Sequence, residues 1–405
     1  MNVLFLSLIN FKSFEQSGIY TDLLREFIKN GHHIYAVNSN ERRNGETTKL
    51  IEENGSYILS VRTFNIQKTN IVEKGIGTLS VSGQFERAIN KYFSGVKFDL
   101  ILYPTPPITL CDTVYFFKKK DRAKTYLLLK DIFPQNAIDI GMMADTGIKG
   151  FLYRYFRKKE KKLYSISDYI GCMSKANVEY LILHNPEIEP EKVEICPNSV
   201  DPVDMSVDVN TRNEIRRKYD IPLDKKVFVY GGNLGKPQGI DFMLDCLKSQ
   251  GGNNLDYFLI VGDGTEYEKI ETFIENEKPS NVRLMRRLPK EDYDRMVGAC
   301  DVGMIFLDHR FTIPNFPSRL LSYMQAKIPV LAVTDSNTDI GGVITNGGFG
   351  WWCESNDVNS FNRLVNNCAD TDLKAMGQSG YDYLINHYTA QRSYEIIMQH
   401  LEKLD

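Results

Sequence analysis

Short apolar runs recur along the chain. Between them lie longer stretches in which apolar residues return at helical spacing. The first half supplies NVLFLSL, HHIYAVN, FDLILYP, TYLLLKD, DYIGCMS and VEICPN, separated by segments such as GIYTDLLREFIKNG and ITLCDTVYFFKKK. The second half begins the series again with KVFVYGG, YFLIVGDG, NVRLMRRL, DVGMIFL and PVLAV, separated by GIDFMLDCLKS, EYEKIETFIENE, KEDYDRMVGA and PSRLLSYMQAK. A short run that is apolar throughout is a strand covered on both faces, and the stretches with a 3.6-residue period are amphipathic helices. Their alternation predicts an α/β chain with parallel sheets and helices on both faces.

Two successive series predict two doubly wound, Rossmann-like domains facing across a cleft. Pro, Asn, Ser and Asp concentrate in PNSVDPVDMSVDVN, residues 197–210, and mark the boundary. The expected division is an N-terminal domain over 1–200, a C-terminal domain over 201–385 and a last helix over 386–405 that packs back on the first domain, after a break near His387–Thr389. Open α/β sheets bind ligands at the carboxyl ends of their strands, where the strand order reverses. The loops just after each strand are therefore the places to read for chemistry.

After the first strand, Gly18 opens a helix and permits close approach. PTPPIT follows FDLILY and offers the hydroxyls of Thr105 and Thr109, and Asp131 stands at the tip of TYLLLK. GGNLGKPQG follows KVFVY; such a loop brings backbone N–H groups to a diphosphate and carries one cation, Lys236. It lacks Gly-Lys-Ser/Thr and is no P-loop. GDGTEYEKI reads as a structural turn capped through Thr265. In RFTIPNFPSRLLSYMQAKIPVLAV, Pro317 suits the first helical position, which would leave the N–H groups of Ser318 and Arg319 at the positive end of the helix dipole. A hydroxyl and a guanidinium among free N–H groups compose an anion site.

Composition narrows this picture. Charged residues make up 25% and hydrophobic residues 42%, as in soluble globular proteins. No apolar run is long enough to span a bilayer. MNVLFLSLIN lacks a basic region before its apolar run and reads as a strand, so a cytoplasmic protein is expected. The seven cysteines form no C-x-x-C pair and read as core thiols of a reducing compartment. The six histidines lack ligand spacing, so no metal site is expected. A net charge of −3 argues against nucleic-acid binding. The charge is uneven: residues 1–200 carry 27 Lys and Arg against 22 Asp and Glu, and the remainder 22 against 30. FFKKKDRAK and FLYRYFRKKEKK mix cations with aromatics in the basic half, which suggests a face held against an anionic membrane surface.

At this point the chain resembles a known family. GGNLGKPQG, GDG one strand later and PSRLLSYMQAKIPVLA resemble the GT-B glycosyltransferases, more narrowly family four, also called group 1. LLLKDIFPQNAIDIGMM is similar to the branch that builds bacterial O-antigens and capsules, including acetamidosugar transferases, and PNSVD to that family's interdomain link. The resemblance implies a retaining, metal-independent transfer of a hexose or N-acetylhexosamine from a nucleotide donor, expected to be UDP-linked, to a polyprenyl-diphosphate-linked saccharide, by an enzyme peripheral on the inner face of the cell membrane. It implies donor contacts from Gly18, Gly232, Asn233, Gln238, Arg287, Pro317, Ser318, Arg319 and Ser322. It gives catalytic roles to Asp131, Arg319 and Lys236, and acceptor or sugar orientation to Thr105 and Gln135. No cofactor besides the donor substrate is implied.

The family usually carries Glu-x7-Glu before its A-x-G-x-P-V segment; the matching positions here are Pro314 and Ser322. The family's usual Arg and Lys in the glycine-rich loop match Asn233 and Gln238, as in the O-antigen branch. Arg319 then becomes the main source of positive charge for a diphosphate. Losing both carboxylates keeps a second reading open, a non-catalytic GT-B subunit of a glycosyltransferase complex. A sugar-nucleotide epimerase is a third, disfavoured because no histidine stands at a strand end.

Overall fold

The computed structural model describes residues 1–66, 71–147 and 150–401. It divides into two compact units, Met1–Asp201 with Ala390–Asp405, and Pro202–Thr389.

In the first unit the strands are β1 (Asn2–Ser7), β2 (His33–Glu41), β3 (Lys49–Glu53), β4 (Ser56–Thr63), β5 (Leu100–Pro104), β6 (Lys124–Leu129), β7 (Tyr169–Cys172) and β8 (Val193–Ile195). Its helices are α1 (Ile19–Lys29), α2 (Ile71–Tyr92), α3 (Cys111–Asp121), α4 (Gln135–Asp139), α5 (Gly150–Ile166) and α6 (Lys175–His184). The strand order is β3-β4-β2-β1-β5-β6-β7-β8, parallel except for β3 against β4. Alternate residues of β1 enter opposite cores: Leu4 and Leu6 pack on the face with Phe85 and Phe117, Val3 and Phe5 on the face with Phe27. Burial on both sides is why this strand reads as an unbroken apolar run. The last helix of the chain, Ala390–Met398, belongs to this unit; Tyr394 packs edge-on to Phe27 at 4.9 Å, and its hydroxyl lies 3.0 Å from His32 Nε2.

The second unit contains α7 (Val209–Lys218), β9 (Lys226–Asn233), α8 (Ile240–Ser249), β10 (Asp256–Asp263), α9 (Tyr267–Glu277), β11 (Val282–Met285), α10 (Lys290–Gly298) and β12 (Val302–Phe306). It continues with α11 (Arg319–Gln325), β13 (Val330–Thr334), α12 (Ile340–Asn346), β14 (Gly350–Glu354), α13 (Val358–Asn367) and α14 (Leu373–His387); α15 is the Ala390–Met398 helix already placed. The sheet is parallel, in the order β11-β10-β9-β12-β13-β14. The order reverses between β9 and β12, so the crevice that this topology offers lies beyond Asn233 and Phe306. The hairpin β3–β4 and the edge strand β14 add to the strands that the apolar runs predict.

β9 must be held firmly at its start if the loop at its end is to keep one shape. Arg216 of α7, fully buried, does this. Its guanidinium donates to the carbonyls of Ala299, Pro222 and Lys225 at 2.8, 3.0 and 2.9 Å and to Asp301 Oδ2 at 2.6 Å, and Asp301 Oδ2 also accepts the Val227 N–H at 2.7 Å. Removing Arg216 leaves three unpaired carbonyls and takes from Asp301 its buried partner, Arg212 remaining on Oδ1 at 2.8 Å. Arg216→Ala should lower the stability of this unit by about 3–5 kcal/mol. Both tryptophans, Trp351 and Trp352, lie in β14, so urea unfolding followed by tryptophan fluorescence reads this unit alone. A midpoint unchanged from wild type would contradict the anchoring role.

Candidate functional site

The loop after β9 is shaped by what stands against its glycines. Gly232 has φ +133, where side chains are strained, and a Cβ there would sit 3.1 Å from Arg319 Nη2. A Cβ at Gly231 would collide with the Tyr293 hydroxyl from α10, and one at Gly264 with the Leu234 backbone. The Arg319 guanidinium lies over the Tyr230 ring, 4.3 Å from its centroid. The Tyr230 hydroxyl donates to the Asn233 carbonyl at 2.7 Å. Gln238 Oε1 accepts Asn233 Nδ2 at 2.9 Å and the Gly235 N–H at 3.2 Å, and the Asp308 N–H after β12 donates to the Pro237 carbonyl at 3.0 Å. The two loops of the switch point are thus tied together. Arg319 Nη1 is buried and has no hydrogen-bond partner. A guanidinium never gives up its charge, so this is a buried cationic donor with nothing to donate to.

Several sequence expectations are corrected here. α11 begins at Arg319, not Pro317: Ser318 is its N-cap, with φ −66 and ψ −13 and no side-chain cap, and the turn starts with 3₁₀-type bonds from Leu320 to Pro317 and from Leu321 to Ser318. Pro317 therefore precedes the helix instead of opening it. The helix has only seven residues, so its dipole is short and the Arg319 side chain carries the positive charge. Ser322 is half-buried one turn further on. Lys236 is exposed at the outer edge of the loop, and Arg287 is exposed after β11. Beside it, Arg286 stacks on Tyr267 at 3.5 Å and reaches Asp263 at 3.3 Å. Thr265 does not cap α9, whose N-cap is Glu266. Tyr230, Tyr293 and Tyr323 escaped the sequence reading; the one signal was a tyrosine ending the otherwise aliphatic and aromatic core run KVFVY.

In the first unit, the Gly18 N–H donates to Asp22 Oδ1 at 3.0 Å, and its φ of 175 is extended backbone open to any residue. Asp22 also pairs with Arg25 at 2.6 Å and accepts the Asp201 N–H at 3.0 Å. Gly18 thus sits in a structural clamp here. Thr105 is buried, and its hydroxyl is occupied by the 130–131 backbone: it accepts from the Lys130 and Asp131 N–H groups at 3.0 and 3.3 Å and donates to the Asp131 carbonyl at 3.1 Å. It positions Asp131 and is not open to a sugar. Asn136 Nδ2 donates to both Asp131 carboxylate oxygens, at 2.8 and 2.9 Å. Burial pushes the Asp131 carboxyl up to about 6, Asn136 and the Ile132 N–H pull it down, and the charge of Glu160 adds to the rise. Lys130 points to the Cys196 carbonyl at 2.9 Å, and burial lowers its amine to about 8. Gln135 Nε2 donates to Asp139 at 2.8 Å.

The basic segments are α3 and α5. Many of their cations are paired: Lys118 with Asp168, Lys159 and Lys162 with Asp112, Lys161 with Glu187 and Arg157 with Glu160. Lys119, Lys120 and Lys158 are exposed, as are Tyr115, Phe116, Phe151 and Leu152. All seven cysteines are buried free thiols. Among the described residues, no group of three or more His, Cys, Asp or Glu could hold a metal ion, and no helix is long and apolar enough to cross a membrane.

Two doubly wound α/β units, with an arginine-backed glycine loop at the switch point of the second, define the class: the GT-B fold. Residues 211–381 match the family described as glycosyl transferases group 1. The chain is 27% identical over 303 residues to "Probable glycosyltransferase WbjE" of Pseudomonas aeruginosa, covering 73% of this chain and 72% of that one. It is 21% identical over 275 residues to "Putative colanic acid biosynthesis glycosyl transferase WcaI" of Escherichia coli (66% of this chain, 64% of that one). Among solved structures, Anabaena HepE in complex with UDP superposes with a TM-score of 0.69 at 14% identity, covering 100% of both chains. The group 1 match lies in the second unit, and the fold of the whole chain is that of the GT-B glycosyltransferases.

The elevated Asp131 carboxyl gives a pH test. Its folded value of about 6 lies above the ordinary 3.8, so ionisation costs the fold nothing near pH 4 and destabilises it increasingly as pH rises through 6. Asp131→Asn removes that dependence. Relative to wild type, the variant should gain roughly 2–3 kcal/mol between pH 4 and pH 8. Hydrogen exchange of the β5 and β6 amides measures it, and a pH-independent difference would contradict the burial of the charge.

Proposed function

We propose that the chain is a retaining transferase that moves a hexose or N-acetylhexosamine from a UDP-linked donor to a polyprenyl-diphosphate-linked saccharide, in the synthesis of a bacterial surface polysaccharide such as a capsule or O-antigen. The observation that carries the donor assignment is Arg319, with its buried, unpartnered Nη1 beside the glycine loop. A nucleoside diphosphate leaving from that loop would take up this donor and the loop's N–H groups as its negative charge grows. Such preorganised donors are commonly worth a few kcal/mol each in the transition state. The UDP bound by HepE and the colanic acid biosynthesis for which WcaI is named support the donor class and the pathway class. In this reading the leaving diphosphate helps to take the acceptor's proton, so neither a metal nor a strong protein base is required. Asp131 orients the acceptor, with Gln135 beside it, and Lys236 adds charge at the loop's outer edge.

The test is release of UDP from UDP-sugars in the presence of a polyprenyl-diphosphate saccharide. Turnover should survive EDTA, the product should keep the donor's anomeric configuration, and Arg319→Ala should weaken UDP binding by about 1.5–3 kcal/mol. Wild-type UDP affinity in Arg319→Ala would overturn the donor assignment. The missing carboxylates at Pro314 and Ser322 favour a second reading, a non-catalytic partner subunit. Its signature is UDP binding without turnover on any acceptor.

A lipid-linked acceptor calls for a cytoplasmic enzyme peripheral on the membrane, and the exposed aromatics and lysines of α3 and α5 support that placement. Each cation near an anionic surface is worth about 1 kcal/mol, and salt screens it. The pairs to Asp112 and Glu187 remove Lys159, Lys161 and Lys162 from the main role, leaving Lys119, Lys120 and Lys158 beside Phe116 and Phe151. Co-sedimentation with vesicles should need anionic lipid, fall in high salt and be lost when Phe116, Lys119, Lys120, Phe151 and Lys158 are all changed to Ser. Equal binding to neutral vesicles would refute it.

A further inference from the structure

Among the described residues, no carboxylate holds Arg319, and its Nη1 donates to nothing. A salt-bridge partner would be the ordinary way to fix a buried guanidinium, yet Nη1 has no partner at all. What surrounds it is aromatic and backbone: the Tyr230 ring at 4.3 Å on one side, and Gly232, too close for a side chain, against Nη2. Tyr230 is fully buried, and its hydroxyl is bonded to the Asn233 carbonyl at 2.7 Å. One residue thus supports both the cation, through its ring, and the glycine loop, through its hydroxyl. A carboxylate in place of the ring would hold Arg319 more strongly, but it would neutralise the charge and occupy the donors. A π-face attracts the guanidinium while leaving its N–H fork unused.

We infer that Tyr230 is a positioning residue for the donor diphosphate: its ring is the platform that holds the Arg319 guanidinium in place, with Nη1 unpaired until a phosphate oxygen reaches it. This rests on the donor-site reading above. The platform acts only through Arg319, so its effect belongs to ligands that carry a diphosphate. It also requires a planar cation, which lysine does not supply.

The experiment is calorimetric titration of UDP and of uridine into the full chain, with Tyr230→Phe, Tyr230→Leu, Arg319→Ala, Arg319→Lys and the double change Tyr230→Leu with Arg319→Ala. Tyr230→Leu should weaken UDP about tenfold in the wild-type background and less than about twofold in the Arg319→Ala background, with uridine unchanged in both. Tyr230→Phe keeps the ring and should stay within about threefold of wild type. Arg319→Lys should remain at least about fivefold weaker than wild type, and this arm decides the matter if Tyr230→Leu fails to fold. Equal losses in both backgrounds, a parallel loss for uridine, or recovery by Arg319→Lys would overturn the inference. So would a Tyr230→Phe loss as large as that of Tyr230→Leu, which would give the role to the hydroxyl. Wild-type binding of UDP by Arg319→Ala would instead overturn the donor-site reading beneath it.

Discussion

A charged donor buried without an acceptor is costly, and the second domain is arranged around one. Arg319 Nη1 is out of water and unpartnered, and the π-face of Tyr230 compensates the guanidinium. Much of the local sequence follows from that placement. Gly232 suits its place because its φ of +133 strains a side chain and a Cβ would press on Nη2 at 3.1 Å. Gly231 yields its space to the Tyr293 hydroxyl. Tyr323, one turn along α11 from Arg319, sends its hydroxyl to the Met304 carbonyl at 3.0 Å and so fixes that short helix to the sheet. With so few helical residues, side-chain packing rather than the helix dipole keeps the cation in position.

The sheet supplies the precision. The strand order reverses between β9 and β12, which places the glycine loop and the segment leading to α11 at the same crevice. Arg216 clamps the entry to β9 through Asp301, while Gln238 and the Asp308 N–H clamp its exit. A loop pinned at both ends keeps its N–H groups aimed without reorganising, which is what the proposed donor site asks of it. The first domain builds Asp131 by the same logic. Thr105 fixes the backbone, Asn136 holds the carboxylate oxygens, and burial raises the pKa.

The fold was largely legible because parallel strands buried on both faces leave unbroken apolar runs. The parts that escaped lack that signature. In the hairpin, β3 is a short and mostly polar edge strand, KLIEE, and β4, SYILSVRT, mixes polar residues into its apolar run. The turn between them, Asn54–Gly55 with φ values of 53 and 73, is a two-residue signal that a closer reading of IEENGSYI would have caught. β14 is aromatic and follows a glycine-rich stretch, NGGFG, which masks it. Arg319 and Asp131 drew attention as candidates from their places after strands, and the structure gives both buried polar atoms. Tyr230 did not, because a buried tyrosine in a core strand reads as packing until the cation above its ring is seen. Thr105 and Lys159 were misjudged for the converse reason: sequence shows a hydroxyl or a charge but not the backbone or Asp112 that already occupies it.

The central claim is that Arg319 Nη1 is kept unpaired for a phosphate oxygen of the donor. The most direct measurement is a crystal structure of the chain with UDP bound. The account predicts a phosphate oxygen within hydrogen-bond distance of Nη1, about 2.7–3.0 Å, with the guanidinium still lying on the Tyr230 ring. A diphosphate bound away from Arg319, or an Arg319 that leaves the ring to reach it, would contradict the account.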